Sequence, residues 1–357
     1  MLTESDRPGT ASAADWRIAG IALLSARFVQ GWIYWGGGSR RFIYAPKKLD
    51  PHAAHWMANK FQTAMPGALL GMDHFVSYLL QHFYLLYAGI IVFSVVELVF
   101  GLFLIAGFLT RLSALVSMGL SFVLMLLFGW QGATCIDEWT MAACNFGIGA
   151  TLFVGGAGAY SIDSWLLGHR PAIAAKRWFR WIASGPLPER TVAPLGKTLW
   201  IVTILFVVLT YNHYRGAVVT PFHPGPVSAS KHHVTLTEAV VRGDGSVSFR
   251  AYLDGGTADV PAHIVRIELL GADRRSVEIW NGTMLGALAK SAFVNDYAYN
   301  RFRPGLDGIQ AEVGAKATIT LPPARTNLGL APGPYLIEAT TIDAKSFAAN
   351  TRFLPGG

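Results

Sequence analysis

Cysteine is scarce in this chain. Only Cys135 and Cys144 are present in 357 residues, and both lie in the stretch 129–147, GWQGATCIDEWTMAACNFG. Two thiols exclude a disulfide-stapled scaffold and a four-cysteine iron–sulfur centre. The sequence also has no Cys-x-x-Cys-His run for haem attachment and no glycine-rich dinucleotide fingerprint. No haem, flavin or metal motif is read. His52 and His55 have ligand spacing on a helix, but no third ligand is evident. Redox chemistry in such a chain falls to the two thiols, to a bound quinone, or to a separate subunit.

Charge is the second shortage. Charged residues make up 14% of the chain and hydrophobic ones 52%, whereas soluble domains carry about 25% charged residues. The mean hydropathy is +0.37, which is the composition of a membrane protein. The net charge of +7 would suit a nucleic-acid binder. However, the bases cluster beside apolar runs, where they set membrane orientation, and no nucleic-acid-binding motif is present. Nucleic acid is therefore not an expected partner.

Five stretches approach the roughly 20 apolar residues that a span requires: 17–35, 83–109, 112–130, 139–160 and 197–214. The first carries Arg27 and Gln30, and the fourth is rich in small residues. Gly147, Gly149, Ala150, Gly155 and Gly156 suit close helix packing in lipid. The polar residues 1–16 precede a run without a small-residue cleavage site, so the first span is expected to be retained. The loop before the fifth span carries Arg170, Lys176, Arg177, Arg180 and Arg190 against Glu189. The positive-inside rule makes it cytoplasmic. Alternation then puts Arg111 inside, and the 36–82 connection, the Cys135 turn and everything after about 215 outside.

Beyond Pro221 the pattern changes. HHVTLTEAVV, GSVSFRAYL, AHIVRIELL, KATITL and GPYLIEATTI are short β-branched runs separated by Gly- and Pro-rich turns. They predict an antiparallel, immunoglobulin-like sandwich, with 282–310 less regular. The expected organisation is a polar tail 1–16, a four-span helical membrane domain 17–167, a basic linker 168–196, an anchoring span 197–214 and an all-β domain 221–357.

Several residues on this frame suit chemistry. A disulfide needs Cα atoms within about 7 Å, and nine positions along a straight helix cover about 13 Å. Cys135 would therefore have to fold back over the start of the fourth span to reach Cys144. Two readings stand: structural thiols, bonded or separate, and a redox-active pair above a quinone pocket. Trp130 lies beside that pocket. Arg27 and Glu97 sit inside spans, where charge is costly and is paired or functional. Their counted depths match, so an ion pair between them is one expectation and a proton or quinone role the other. His82, at the outer end of the second span, is placed to hydrogen-bond a quinone carbonyl. Arg40, Arg41, Lys47 and Lys48 make the outer connection basic, suited to lipid headgroups or to a small dianion.

These features together resemble the thiosulfate:quinone oxidoreductases of the DoxD/DoxA family. Residues 17–167, with GWQGATCIDEW before the last span and YSIDSWL after it, are similar to DoxD. Residues 195–355, ending in PGPYLIEATTIDAKSF, are similar to DoxA. The two parts are often separate polypeptides. The resemblance implies thiosulfate oxidation to tetrathionate with quinone as electron acceptor, at a bacterial or archaeal inner or plasma membrane with the β-domain on the periplasmic face. The partners it implies are thiosulfate, membrane quinone and the bilayer, with self-association or a further subunit left open. Two rivals share the sequence features: a quinone-linked thiol oxidase, and a non-catalytic anchored β-domain that binds another protein.

Overall fold

The computed structural model describes residues 13–44, 46–53, 55–131, 138–174, 176–215, 227–228, 230–258, 260–325 and 329–353. The chain forms two compact units. One comprises Met1–Ala53, Tyr87–Gly129 and Thr134–His223, and the other Ala54–Leu86, Trp130–Ala133 and Pro224–Gly357.

The first unit is helical. It contains α1 (Ala13–Ala22), α2 (Leu24–Ser39), most of the helix Phe83–Ala106, the helices Thr110–Phe128 and Glu138–Gly155, three short helices Ile162–His169, Pro171–Ala174 and Arg177–Ile182, and the long helix Glu189–Arg215. Counting two further short helices of the second unit, α3 (Met57–Ala64) and α4 (Met72–Gln81), these become α5 to α11 in chain order. Three of them, at Phe83–Ala106, Thr110–Phe128 and Arg190–Tyr214, are long and apolar enough to cross a membrane. The other two expected spans are also helical. The first is interrupted at Leu23, between α1 and α2, and the second is α7, which carries Glu138 and Asn145.

Lipid supplies no hydrophobic drive between helices, so close contact depends on small residues. A Cβ on Gly101 of α5 would lie 2.3 Å from the backbone nitrogen of Trp35, so α2 and α5 cross backbone to backbone. On α7, Gly149 packs against Met118 and Gly155 against Leu23, while Gly147 faces open space. Helix α11 lies against this core. The Phe206 ring stacks 4.7 Å from Phe122 and 5.4 Å from Phe146, and Trp139 Nε1 donates to Thr210 Oγ1 at 3.1 Å.

The second unit is built on β-structure. The strands β1 (His233–Val241), β2 (Val247–Gly255), β3 (Ala262–Leu270), β4 (Ser276–Asn281), β5 (Phe293–Asn295), β6 (Arg303–Gly305), β7 (Gly308–Ala311), β8 (Lys316–Leu321), β9 (Gly333–Thr341) and β10 (Ser346–Phe353) form two antiparallel sheets. One is ordered β1-β2-β8-β5 and the other β10-β9-β3-β7-β6, with β4 also paired to β3. Five of the strands coincide with the five β-branched runs. Alternate residues of β9 (Tyr335, Ile337, Ala339 and Thr341) are buried, as a strand with one face on a core requires. The irregular stretch 282–310 holds short elements only. Its first, α12 (Gly282–Gly286), is capped by Asn281, whose Oδ1 accepts from Met284 N.

This β-domain is clasped by a helical segment distant in sequence. Gln62 of α3 is fully buried. Its Nε2 donates to the carbonyls of Asn300 (2.8 Å) and Gly314 (2.9 Å), and its Oε1 accepts from Asn300 N at 3.0 Å. Asn300 Nδ2 donates in turn to the carbonyls of Asn59 and Val313. Gly314 is obligatory here: its φ is +85°, and a Cβ would lie 2.1 Å from the Gln62 carbonyl oxygen. Ser77 and Tyr297 share a 2.7 Å hydrogen bond nearby. Replacing Gln62 by Ala strands three buried backbone groups at about 1–3 kcal/mol each. The expected result is loss of about 3 kcal/mol or more from this unit, read as a lowered thermal midpoint of the full chain in detergent and early proteolysis within 54–86.

Candidate functional site

Helix α2 carries a buried polar stripe. Arg27, Gln30 and Tyr34 recur at three- and four-residue spacing, so they share one helical face. Arg27 Nη1 donates to the Ala157 carbonyl at 2.8 Å and Nη2 to the Tyr160 carbonyl at 3.0 Å. Gln30 Nε2 donates to the Asn145 carbonyl at 2.6 Å. The Tyr34 hydroxyl donates to the Ser117 carbonyl at 2.8 Å, which makes Ser121 the donor in their 2.7 Å contact.

Beyond the end of α2 the chain widens into a single π-helical turn, Arg40–Tyr44, and Arg41 turns back to form an ion pair with Glu97 of α5. Arg41 Nη1 also reaches Ser94 Oγ at 3.4 Å, and its guanidinium lies 5.3 Å from the Phe93 ring centre. Arg40 and Lys48 act on Glu97 electrostatically. Lys47 belongs to the turn Pro46–Leu49. The expected Arg27–Glu97 pair does not form. The depth count assumed one straight helix from residue 17, but the break at Leu23 puts Arg27 in the first turn of α2. The fourteen positions to Arg41 correspond to about 21 Å of helix, so the two arginines serve opposite ends of the stripe. The sequence signal for the stripe was available: Gln30 and Tyr34 continue the spacing begun by Arg27.

Cys144 is exposed on α7 and has no disulfide partner among the described residues. It directly precedes Asn145, the residue that receives Gln30. Cys135 lies outside the described residues. Among the described residues no cluster of three or more His, Cys, Asp or Glu side chains assembles to hold a metal.

His82 and Trp130 belong to the second unit. His82 is exposed at the end of α4, with Nδ1 2.7 Å from the Tyr78 carbonyl. A carbonyl accepts only, so Nδ1 carries the proton and Nε2 remains available. Trp130 is buried, and its Nε1 donates to the Ala64 carbonyl at 2.8 Å; Gln131 Nε2 donates to the Thr63 carbonyl at 2.7 Å. The residues just before the segment that carries Cys135 are thus held by α3, the helix that carries Gln62.

Comparison with known proteins decides the family. Residues 23–188 match the model of the TQO small subunit DoxD, and residues 216–350 that of the TQO small subunit DoxA. The chain belongs to the DoxD/DoxA family. TQO stands for thiosulfate:quinone oxidoreductase, and here both of its small-subunit families occur fused in one chain. Helix α11 lies between the two matches, so the helix expected to open the DoxA part is a connector by this measure. Among solved structures, the Pseudomonas fluorescens alkylpurine DNA glycosylase AlkC bound to abasic-site DNA aligns over 95% of this chain and 99% of its own. The identity is 9% and the TM-score 0.19, too loose a superposition to bear on the fold.

The DoxD part also contains a second buried cluster that sequence reasoning missed. Asp163, in the YSIDSWL run, is fully buried. It accepts from Leu109 N, Thr110 N, Thr110 Oγ1 and Ser184 Oγ at 2.8–3.0 Å. It therefore caps α6 from another element, and it holds Leu109 in a left-handed conformation with φ +44°. Burial pushes its carboxyl above the usual carboxylate range, against the pull of these donors. Arg111, expected in a short inside loop, lies in the first turn of α6 and is fully buried. It donates to the carbonyls of Phe153 and Val154 at the end of α7 and to those of Arg180 and Gly185, where a cation complements the helix dipole.

In the DoxD–DoxA protein, Glu97→Ala leaves Arg41 without its carboxylate in a largely enclosed site. Removing one member of a buried pair costs about 3–5 kcal/mol, whereas apolar replacement of both is close to neutral. Glu97→Ala should therefore lower the thermal midpoint sharply, and Arg41→Met with Glu97→Leu should restore most of it.

Proposed function

We propose that this chain is a membrane thiosulfate:quinone oxidoreductase that oxidises thiosulfate to tetrathionate and passes the electrons to membrane quinone. The observation that carries this reading is the presence of both TQO small-subunit families in one chain. Four helices of the DoxD part cross the bilayer, α11 is a fifth span, and the β-domain lies on the periplasmic face. Sheet orders of β1-β2-β8-β5 and β10-β9-β3-β4 match the A-B-E-D and G-F-C-C′ orders of immunoglobulin domains, which supports that grouping.

The chemistry runs through the cysteines. Arg40, Lys47 and Lys48 raise the local concentration of the thiosulfate dianion. The terminal sulfur of one thiosulfate attacks the Cys135–Cys144 disulfide. A bond forms from that sulfur to one cysteine, and the other cysteine leaves as a thiolate. A second thiosulfate attacks the sulfur just added, forms the central bond of tetrathionate and expels the remaining cysteine thiolate. With two protons, the pair is now a dithiol holding two electrons. Quinone takes both electrons and both protons to become quinol, and the disulfide re-forms. His82 as an imidazolium donates Nε2–H to a quinone carbonyl, its Nδ1–H staying on Tyr78. Trp130 offers only a ring face, because its N–H is committed to Ala64. Arg41 and Glu97 occupy the outer end of the polar stripe, and Glu97 relays protons there. Arg27 has one buried N–H, at Nε, with no partner among the described residues.

The test is an anaerobic assay of the purified chain with thiosulfate and a soluble quinone, with tetrathionate measured as product. Wild type should couple tetrathionate formation to quinol at one to one, and Cys135→Ser and Cys144→Ser should each fall to background. Arg40→Gln with Lys48→Gln should raise KM for thiosulfate at nearly constant kcat, most strongly at low salt. Normal turnover in both cysteine variants sinks the thiol route. Absence of thiosulfate-dependent quinone reduction in wild type sinks the activity.

A further inference from the structure

The basic stretch around α10 and the start of α11 forms a cavity of about 290 Å³, lined by Arg177, Arg180, Trp181, Arg190 and Thr191 among others. Three arginines line one small space, and among the described side chains no acidic one lines it. The Arg180 backbone is fixed, because its carbonyl accepts from buried Arg111. Its Nε is enclosed and has no hydrogen-bond partner among the described residues. A buried donor without a partner is costly, so an acceptor that enters this space is favoured. Arg190 and Thr191 also stand in the first turn of a 27-residue helix, where the helix dipole favours an anion; the Thr191 and Val192 N–H groups themselves donate to the Pro188 carbonyl.

A second cavity, about 660 Å³ and strongly apolar, runs between α7 and α11. It is lined by Ala150 and Val154 of α7, by Gly196, Leu199 and Trp200 of α11, and by the open face of Gly147. The two threonine hydroxyls along it are already used: Thr151 Oγ1 donates to the Ile148 carbonyl at 2.7 Å, and Thr203 Oγ1 to the Leu199 carbonyl at 2.8 Å. A quinone ring would find few partners there, whereas a hydrocarbon chain needs none. Thr191 in the first cavity and Gly196 in the second are five residues apart on α11, about 7.5 Å of helical rise. That separation is shorter than one acyl chain.

We propose that this face binds an anionic phospholipid, with its phosphate among Arg177, Arg180 and Arg190 and one acyl chain along the α7–α11 groove. Basic pockets beside membrane helices recognise such headgroups, and Trp181 sits where an interfacial tryptophan is expected. The basic headgroup cavity shares no residue with the thiol and quinone chemistry, and the site involves the helix that joins the two family parts.

Native mass spectrometry of the delipidated full chain in detergent tests this directly. The probes are phosphatidylglycerol, phosphatidylcholine of identical chains, and glycerol phosphate as a headgroup without chains. Phosphatidylglycerol should be retained about tenfold better than phosphatidylcholine, the size expected for one charge-assisted contact. Arg180→Gln and Arg190→Gln should each erase about that factor. Arg190 is exposed, so its variant stays informative if Arg180→Gln folds poorly. Gly147→Leu starts from an open Cβ position, extends its side chain into the groove, and should weaken phosphatidylglycerol while leaving glycerol phosphate unchanged. Equal retention of the two lipids, or wild-type phosphatidylglycerol binding by Arg190→Gln, overturns the proposal. So does glycerol phosphate binding as tightly as the lipid, since that defines a phosphate site without a chain groove.

Discussion

The buried exchange between Gln62 and Asn300 is the constraint on which the second unit depends. A glutamine with no exposed surface is tolerable only when its amide is fully bonded, and here both the oxygen and the nitrogen reach backbone that strand pairing does not use. Short helices in an outer connection have little stability of their own. These helices acquire it from the β-domain, and α3 passes it on through the carbonyls of Thr63 and Ala64 to Gln131 and Trp130. The part matched by DoxA thereby sets the position of Trp130 and Gln131, which precede Cys135 in the part matched by DoxD.

The helical unit obeys a different economy. Charge inside a bundle is retained only where a partner is fixed. Arg41 with Glu97, Arg27 with two carbonyls and Arg111 with four meet that condition by different means. Two of the three arginines have carbonyl oxygens from the end of α7 or just beyond it as acceptors. The C-terminus of that helix is a concentrated acceptor site, and the sequence supplies cations to it from α2 and α6. The ion pair at the other end is the exception, and it lies among the basic residues that the proposed chemistry uses.

Much of this was legible in the residues. The β-branched runs gave five strands within two residues of their ends, because alternation and turn chemistry are local signals. The apolar runs gave the helices for the same reason. Partners were less legible. Glu97 was singled out as a buried charge that needed a counter-ion, but Arg27 was chosen over Arg41. The break at Leu23 and the widened π-helical turn at Arg40–Tyr44 alter depth by amounts that a straight-helix count does not contain. Asp163 looked like part of a family run and proved to be the cap of a helix that begins more than fifty residues earlier. Gln62 gave no signal at all, since a glutamine on a short amphipathic helix reads as solvated until its sequence-distant partner Asn300 is known. The strands β4 and β10 were not singled out either, and the short strands β5, β6 and β7 were missed because three or four residues carry no period.

Helix α11 belongs to neither family match, yet it fastens one to the other. Two separate subunits meet at whatever concentration the membrane provides, and they part when either is scarce. Joined through a helix, they meet at an effective concentration set by tether length, and their ratio is fixed at synthesis. A lesion that loosens the clasp would dissociate a two-subunit enzyme. In this chain it is opposed by rebinding, so natural sequence drift at the clasp is tolerated further in the fused form than in the split one.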